Sequence, residues 1–214
     1  MTKKIIIIGA NGRISKHLID FLKDTEKYKL TLFSRNTKEL AEQAPEADVI
    51  QGDVLNNEQL DAAVKGQDIV FVNVDGPMNK FADLIVRSMD KNNVKRLIFT
   101  TSLGIYKELP GKFGEWNEAI IGKDLVRYKE AADIIEASDL DYTIVRPSWL
   151  TDNDDADFET TQKGEPFTGT EVSRKAVAAY IMNIIESGKD IKASVGVNKP
   201  GVYGDKPSFI DFNI

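Results

Sequence analysis

Apolar runs rich in Ile, Val, Leu and Phe recur along the chain, separated by polar-studded stretches of helix length. Ile5–Ile8, Leu30–Phe33, Asp48–Ile50, Ile69–Val72, Leu97–Thr100 and Tyr142–Val145 do not alternate as half-exposed strands do. Runs of this kind predict strands covered on both faces. Between them apolar positions fall three and four apart: Ile14, Leu18, Phe21 and Leu22; Leu60, Ala63 and Val64; Phe81, Leu84 and Ile85; Ala131, Ile134 and Ile135. Each set shares one face of an amphipathic helix. Regular alternation of strand and helix predicts an α/β fold with a parallel sheet and helices on both sides. Right-handed crossovers make it a doubly wound, three-layer α/β/α domain.

The second half is less regular. From Trp149 to Thr170 the chain carries Asp152, Asp154, Asp155, Asp157 and Glu159, then Gly164, Pro166 and Gly169, a composition of loops and turns. A helix is expected from about Ser173 to Ser187, with Val177, Ile181, Ile184 and Ile185 as its apolar stripe. A strand is expected at Ala193–Val197, and the Pro/Gly-rich end has no readable pattern. No repeat or linker divides the chain, so residues 1–214 are expected to form one domain, with substrate-side loops at about 103–120 and 149–171 and a small C-terminal substrate region.

Composition narrows the function. The 214 residues include 28 Lys and Arg against 34 Asp and Glu, a net charge of −6, and no Cys. A chain this long buries roughly 70% of its unfolded surface and needs no disulfide or structural metal. The absence of Cys excludes thiol chemistry and suits a reducing cytoplasm. Net negative charge argues against a nucleic-acid or anionic-membrane partner. The apolar run after Lys3-Lys4 stops at Gly9, too short for a signal peptide, and no apolar run spans a bilayer. A cytoplasmic protein acting on a small molecule is expected, and the sequence is silent on oligomeric state.

The first strand runs into Gly9-Ala10-Asn11-Gly12-Arg13-Ile14-Ser15 and then a helix. Such a turn brings backbone N–H groups and a helix N-terminus against a pyrophosphate, where Cβ atoms are unwelcome. Gly9 and Gly12 meet that need, with Ser15 in the third small position; glycine also simply makes turns. At the end of the second strand a carboxylate would accept from a ribose 2′-hydroxyl, whereas a base favours a 2′-phosphate. Here stand Ser34 and Arg35. Arg35 offers forked, charge-assisted contacts, with Ser34 and Arg13 as further donors, so NADP(H) is expected over NAD(H). After the third strand, Asp53 either accepts from an adenine amino group or starts the turn into the next helix.

Together, Gly9-Ala10-x-Gly12, Ser34-Arg35, Gly52-Asp53-Val54, Thr101-Ser102 and Asp141–Pro147 resemble the atypical short-chain dehydrogenase/reductases. The similarity is to the NAD(P)H-binding, NmrA-like members that include biliverdin reductase B-like enzymes. It implies a Rossmann-like domain with NADP(H) across the C-terminal edge of the sheet. On that mapping Val74-Asp75-Gly76-Pro77 runs beside the cofactor and Arg146-Pro147-Ser148 borders the nicotinamide. Lys129 takes the place of the lysine that holds the nicotinamide ribose, and Ser102 that of a serine bonding a substrate carbonyl.

One departure stands out. The family's Tyr, four residues before the Lys, is here Leu125. Tyr128 points about 100° around the helix from Lys129, and Tyr106, in a loop after Ser102, is the freer proton donor. Lys129 and Ser102 also read as an ordinary solvated lysine and an ordinary strand-end serine. His17 reads as a helix residue rather than an acid/base, and the carboxylates from Asp152 to Glu159 as a solvated loop without a metal site, or a lid discouraging anions. The leading expectation is an NADPH-dependent oxidoreductase passing hydride to a small acceptor such as a quinone, flavin or carbonyl. The rival is a non-catalytic NADP-binding redox sensor; a sugar-nucleotide epimerase is disfavoured by Leu125.

Overall fold

The computed structural model describes residues 2–211, so the extreme ends of the expected 1–214 domain, Met1 and residues 212–214, lie outside the described residues. In chain order the elements are β1 (Lys3–Ile8), α1 (Arg13–Leu22), β2 (Tyr28–Ser34), α2 (Leu40–Gln43), β3 (Asp48–Gln51), α3 (Asn57–Val64), β4 (Ile69–Val72) and α4 (Met78–Lys91). Then follow β5 (Arg96–Thr100), α5 (Gly111–Glu136), β6 (Asp141–Pro147), β7 (Trp149–Thr151), β8 (Glu159–Gln162), β9 (Glu171–Ser173), α6 (Arg174–Ser187) and β10 (Ala193–Asn198). All six strands expected from the apolar runs form, as do the expected helix and strand near the C-terminus.

The main sheet has eight strands in the order β3-β2-β1-β4-β5-β6-β10-β8, and neighbours are parallel except for β10 and β8. β7 and β9 form a small parallel pair of their own. The four consecutive isoleucines of β1 show why continuous apolar runs were needed. Ile5 and Ile7 pack with Leu18, Leu22, Val177 and Ile181 on the face covered by α1 and α6. Ile6 and Ile8 pack with Leu60, Ile85, Ala132 and Ile135 on the face covered by α3, α4 and α5. All four are fully buried, and burial stabilises by roughly 1.5–3 kcal/mol for each such side chain.

Two stretches differ from the sequence expectation. The segment 103–120 is a loop only to Pro110; from Gly111 it is the first half of α5, a helix of 26 residues. The 149–171 stretch contains β7 and β8, and three of its carboxylates form ion pairs, Asp152 and Asp154 while remaining exposed. Asp152 pairs with Arg13 and Arg174, Asp154 with Lys175 and Asp155 with Lys199. β8 is short and polar, Glu-Thr-Thr-Gln, and closes one edge of the sheet. Among the described residues no helix is long and apolar enough to cross a membrane.

Candidate functional site

Strand order reverses between β1 and β4, because β1 continues to β2 on one side and to β4 on the other. A doubly wound sheet opens a crevice at such a point, outside the carboxyl ends of its strands. Here a cleft of about 590 Å³ lies at those ends. Its walls are the β1–α1 turn (Gly9, Asn11, Gly12), the end of β2 (Phe33, Ser34, Arg35), the β3–α3 loop (Gly52–Leu55) and the segment after β4 (Asn73–Pro77), with Phe81 of α4.

The turn is built tightly. Gly9 has φ +80°, and a Cβ there would stand 2.2 Å from the Asn73 carbonyl oxygen. A Cβ on Gly12 would stand 2.3 Å from the Asn73 side-chain nitrogen. Both glycines are therefore required by the protein itself, before any ligand is considered. Ser15, wholly buried, locks the arrangement: its hydroxyl donates to the Gly9 carbonyl at 2.9 Å and accepts from Asn73 Nδ2 at 3.0 Å. Asn11 ties the same turn to β2 by donating to Ser34 Oγ at 3.0 Å and to the Asn36 carbonyl.

The turn delivers the N-terminus of α1 to the cleft. No side chain caps that terminus and its first turn holds no acidic residue. Its leading N–H groups, those of Arg13 and Ile14 among them, thus lack intrahelical partners, and the helix dipole adds positive potential. At the far wall Arg35 is exposed, and its guanidinium makes no ion pair or hydrogen bond with any described residue. Asp53 Oδ1 accepts from the Leu55 N–H at 2.9 Å, so its carboxylate does start the turn toward α3 while also lining the cleft. Bound anions suit this arrangement: free backbone donors, an unpaired arginine, and close-packed glycines that admit a phosphate. The residues present fit a dinucleotide.

The sequence-predicted residues divide into two groups. Gly9, Asn11, Gly12, Ser34, Arg35, Asp53, Val54, Val74, Asp75 and Gly76 share the cleft wall. Arg13 leaves it and pairs with Asp152 at 3.0 Å, both side chains well exposed. Asp75 is held from α5, accepting from Tyr128 Oη at 3.0 Å and lying 3.2 Å from Arg127, whose Nη1 also donates to the Gly76 carbonyl. Burial, reinforced by Asp75, raises the Tyr128 phenol to about 12.

Ser102, Pro147, Lys129 and Tyr106 do not line this cleft. Ser102 is half-buried just past β5, between Thr101, whose N–H donates to the Val145 carbonyl, and Leu103, whose N–H donates to that of Pro147. Lys129 Nζ pairs with Asp133 one helical turn on, at 2.5 and 2.7 Å. Tyr106 is not the freer tyrosine. Its hydroxyl donates to Glu136 Oε1 at 2.7 Å and meets Ser194 Oγ at 3.1 Å, away from the cleft, and burial raises its pKa strongly. Leu125 is buried, packed beside Gly104.

Sequence reasoning placed Arg146 beside the nicotinamide, whereas its side chain is wholly buried and ion-paired with Glu108. It further donates to Ser194 Oγ at 3.1 Å and to the carbonyls of Ser194 and Thr161 at 3.2 and 3.3 Å. Glu108 in turn accepts from the N–H groups of Gly104 and Tyr106 at 3.0 and 2.9 Å. The pair clasps the loop after β5 to β6, β10 and β8. Asn73 and Phe33 were missed. A polar residue directly after the apolar run of β4 was the available signal for Asn73; nothing in the sequence marked Phe33, whose ring packs on Gly52. Among the described residues no His, Cys, Asp and Glu group is placed to hold a metal.

A family model described as NAD(P)H-binding matches residues 9–188. The chain is 42% identical to a Rossmann-fold NAD(P)-binding family protein from Shigella flexneri, covering 98% of this chain and all of that one, with a TM-score of 0.82. It is 29% identical to a wide-type short-chain dehydrogenase/reductase from Veillonella parvula DSM 2008, a structure in complex with NADP, over 98% of this chain and all of that one, with a TM-score of 0.89. It is also 27% identical, over 90% of this chain and 87% of the relative, to YhfK of Bacillus subtilis (strain 168), named an uncharacterized sugar epimerase.

Proposed function

The chain belongs to the NAD(P)H-binding family, and from that premise we propose that it is an NADPH-dependent oxidoreductase acting on a small conjugated or carbonyl acceptor. The α1 N-terminus and the Gly9–Gly12 turn hold the pyrophosphate, with Ser15 and Asn73 keeping the turn in shape. Arg35 and Ser34 take the 2′-phosphate, and Asp53 and Val54 flank the adenine. Val74, Asp75 and Gly76 line the path toward the nicotinamide end, where Pro147, Ser102 and Lys129 stand on β6, after β5 and on α5. When bound, the nicotinamide supplies hydride from its C4. Lys129 turns from Asp133 to the nicotinamide ribose, and Ser102 donates to the acceptor. Tyr106 stays committed to Glu136, so a conjugated acceptor takes its proton from solvent.

The observation that carries the reading is the unpaired Arg35 at the rim of a cleft whose β2 end has no carboxylate. Calorimetric titration with NADPH and NADH tests it. NADPH binds more tightly, and Arg35→Ala removes roughly 10- to 100-fold of that preference, the worth of a charge-assisted hydrogen bond or two. Equal affinities in the parent protein refute the assignment. One observation favours a second reading, a sensor without turnover: Leu125 is buried and the Tyr106 hydroxyl is occupied, so no tyrosine stands ready beside Lys129. The same gap disfavours an epimerase. NADPH oxidation with a panel of quinones, flavins and aldehydes decides between turnover and sensing.

A further inference from the structure

Two helices begin side by side at the carboxyl ends of the strands. α1 and α6 pack on the same face of the sheet, and each opens with an arginine, Arg13 and Arg174. A single carboxylate joins the two. Asp152 Oδ2 lies 3.0 Å from Arg13 Nη1, and its Oδ1 lies 2.7 Å from Arg174 Nη1. The helix ends are finished differently. At α6 the Ser173 hydroxyl accepts from the Ala176 N–H and donates to the Asp155 carbonyl, while Asp154 pairs with Lys175. The N-terminus of α1 has no side-chain cap.

The two arginines are also held unequally. The Arg174 side chain is 11% exposed and that of Arg13 is 65% exposed, so Asp152 is tied to α6 and Arg13 is the partner able to leave. Burial and the nearby Arg13 charge lower the Arg174 pKa. Two cations thus share one carboxylate beside a helix terminus that adds positive potential, and the excess suits a second anion. An exposed pair such as Arg13 and Asp152 contributes little to stability, whereas a pyrophosphate oxygen at the α1 N-terminus accepts a charge-assisted bond from the same guanidinium. Direction separates the two phosphate positions of the cofactor. β2, which leads into Arg35, lies on one flank of β1; β6 lies on the other flank and leads through β7 into Asp152. In reaching Asp152, Arg13 points away from Arg35. We propose that Arg13 serves the pyrophosphate rather than the 2′-phosphate, and that Asp152 competes for it and so sets the affinity for the dinucleotide. The inference rests on the cofactor reading above and adds to it a residue that works against binding.

Titration calorimetry reads this competition without turnover. Asp152→Asn keeps an oxygen for Arg174 and gives up the charge that holds Arg13. It tightens NADPH, NADH and ADP-ribose alike, by about two- to fivefold, the worth of an exposed ion pair. The probe 2′-AMP, which carries a 2′-phosphate and no pyrophosphate, binds as it does to the parent. Arg13→Met, which keeps the stem and removes the charge, weakens the three pyrophosphate ligands roughly tenfold. In that background Asp152→Asn no longer tightens them. An Asp152→Asn protein that binds the three as the parent does, or one that gains as much in the Arg13→Met background, overturns the proposal. A gain confined to NADPH and 2′-AMP overturns it too, because it seats Arg13 at the 2′-phosphate. Equal parent affinities for NADPH and NADH refute the Arg35 assignment and leave the competition for Arg13 standing, since both ligands carry the pyrophosphate. A chain that binds neither dinucleotide refutes both.

Discussion

Removing the Glu108 carboxylate should damage this protein far more than its position in a loop suggests. Arg146 is wholly buried and the Glu108 side chain is 5% exposed, so Glu108→Ala strands a guanidinium in the interior. Breaking such a pair from one side costs about 3–5 kcal/mol. The N–H groups of Gly104, which is buried, and Tyr106, which is partly buried, also lose their acceptors. The expected total is about 4 kcal/mol, against about 0–1 for an exposed pair. With a urea dependence of about 2.5 kcal/mol per molar, the unfolding midpoint falls by roughly 1.5 M. Circular dichroism through a urea series measures it. The double variant Glu108→Leu with Arg146→Met removes both charges and recovers a large part of the stability, well short of the sum of the single losses. A Glu108→Ala midpoint within about 0.4 M of the parent, or a double variant as damaged as the two singles added, would refute the clasp. The cleft at the glycine turn is built from other residues, so the folded variant retains NADPH affinity while its apparent KM for acceptor rises.

Three further outcomes follow from the same geometry. Gly12→Ala meets the Asn73 side chain and should weaken NADPH binding by tenfold or more, and adding Asn73→Ala should restore part of it; Gly9→Ala, facing the Asn73 backbone at φ +80°, should gain nothing from that second change. Titration calorimetry with thermal scans checks both. Tyr128, Tyr106 and Tyr180 all have phenol pKa values raised by burial above their ordinary 10, Tyr128 to about 12. The neutral Tyr128 therefore contributes stability that is fully present below about pH 10 and is lost as pH climbs through about 12, while the contributions of Tyr106 and Tyr180, whose phenols are raised further, persist to higher pH. Across that range denaturant midpoints should fall as tyrosinate absorbance rises, and Tyr128→Phe should flatten the fall. Asp75→Ala should loosen the segment after β4 from Arg127 and Tyr128 and raise the Kd for NADPH several-fold.

How much of this could be read from the chain follows from where each residue's partners lie. The four residues of β4 and the last four of β1 are all apolar because helices cover both faces, so their sequence announces them. The Gly-x-x-Gly turn was legible in the same way, since only small residues pass beside Asn73. β8 was not legible, because an edge strand of Glu, Thr and Gln needs no apolar run; it is held by pairing with β10. The first half of α5 was hidden by Gly111, Gly114 and Gly122, weak helix residues that tertiary packing overrides. Side-chain direction was the deepest gap. Tyr106 and Arg146 sit at chain positions that suggest the reacting end, yet both turn inward, and only the distant Glu136, Glu108 and Ser194 make that turn favourable.

The sheet's two margins have a consequence for the molecule in concentrated solution. Any strand at a rim presents unpaired amide and carbonyl groups to whatever chain drifts past, and long apolar rims seed fibres. At one rim β8 offers four residues, none of them greasy, running against the direction of the rest. At the other, β3 is equally short, and its Asp48 is paired with Lys29. Recruitment of a further strand thus stalls on both flanks, and the layered body stays a discrete particle rather than the first rung of a ladder.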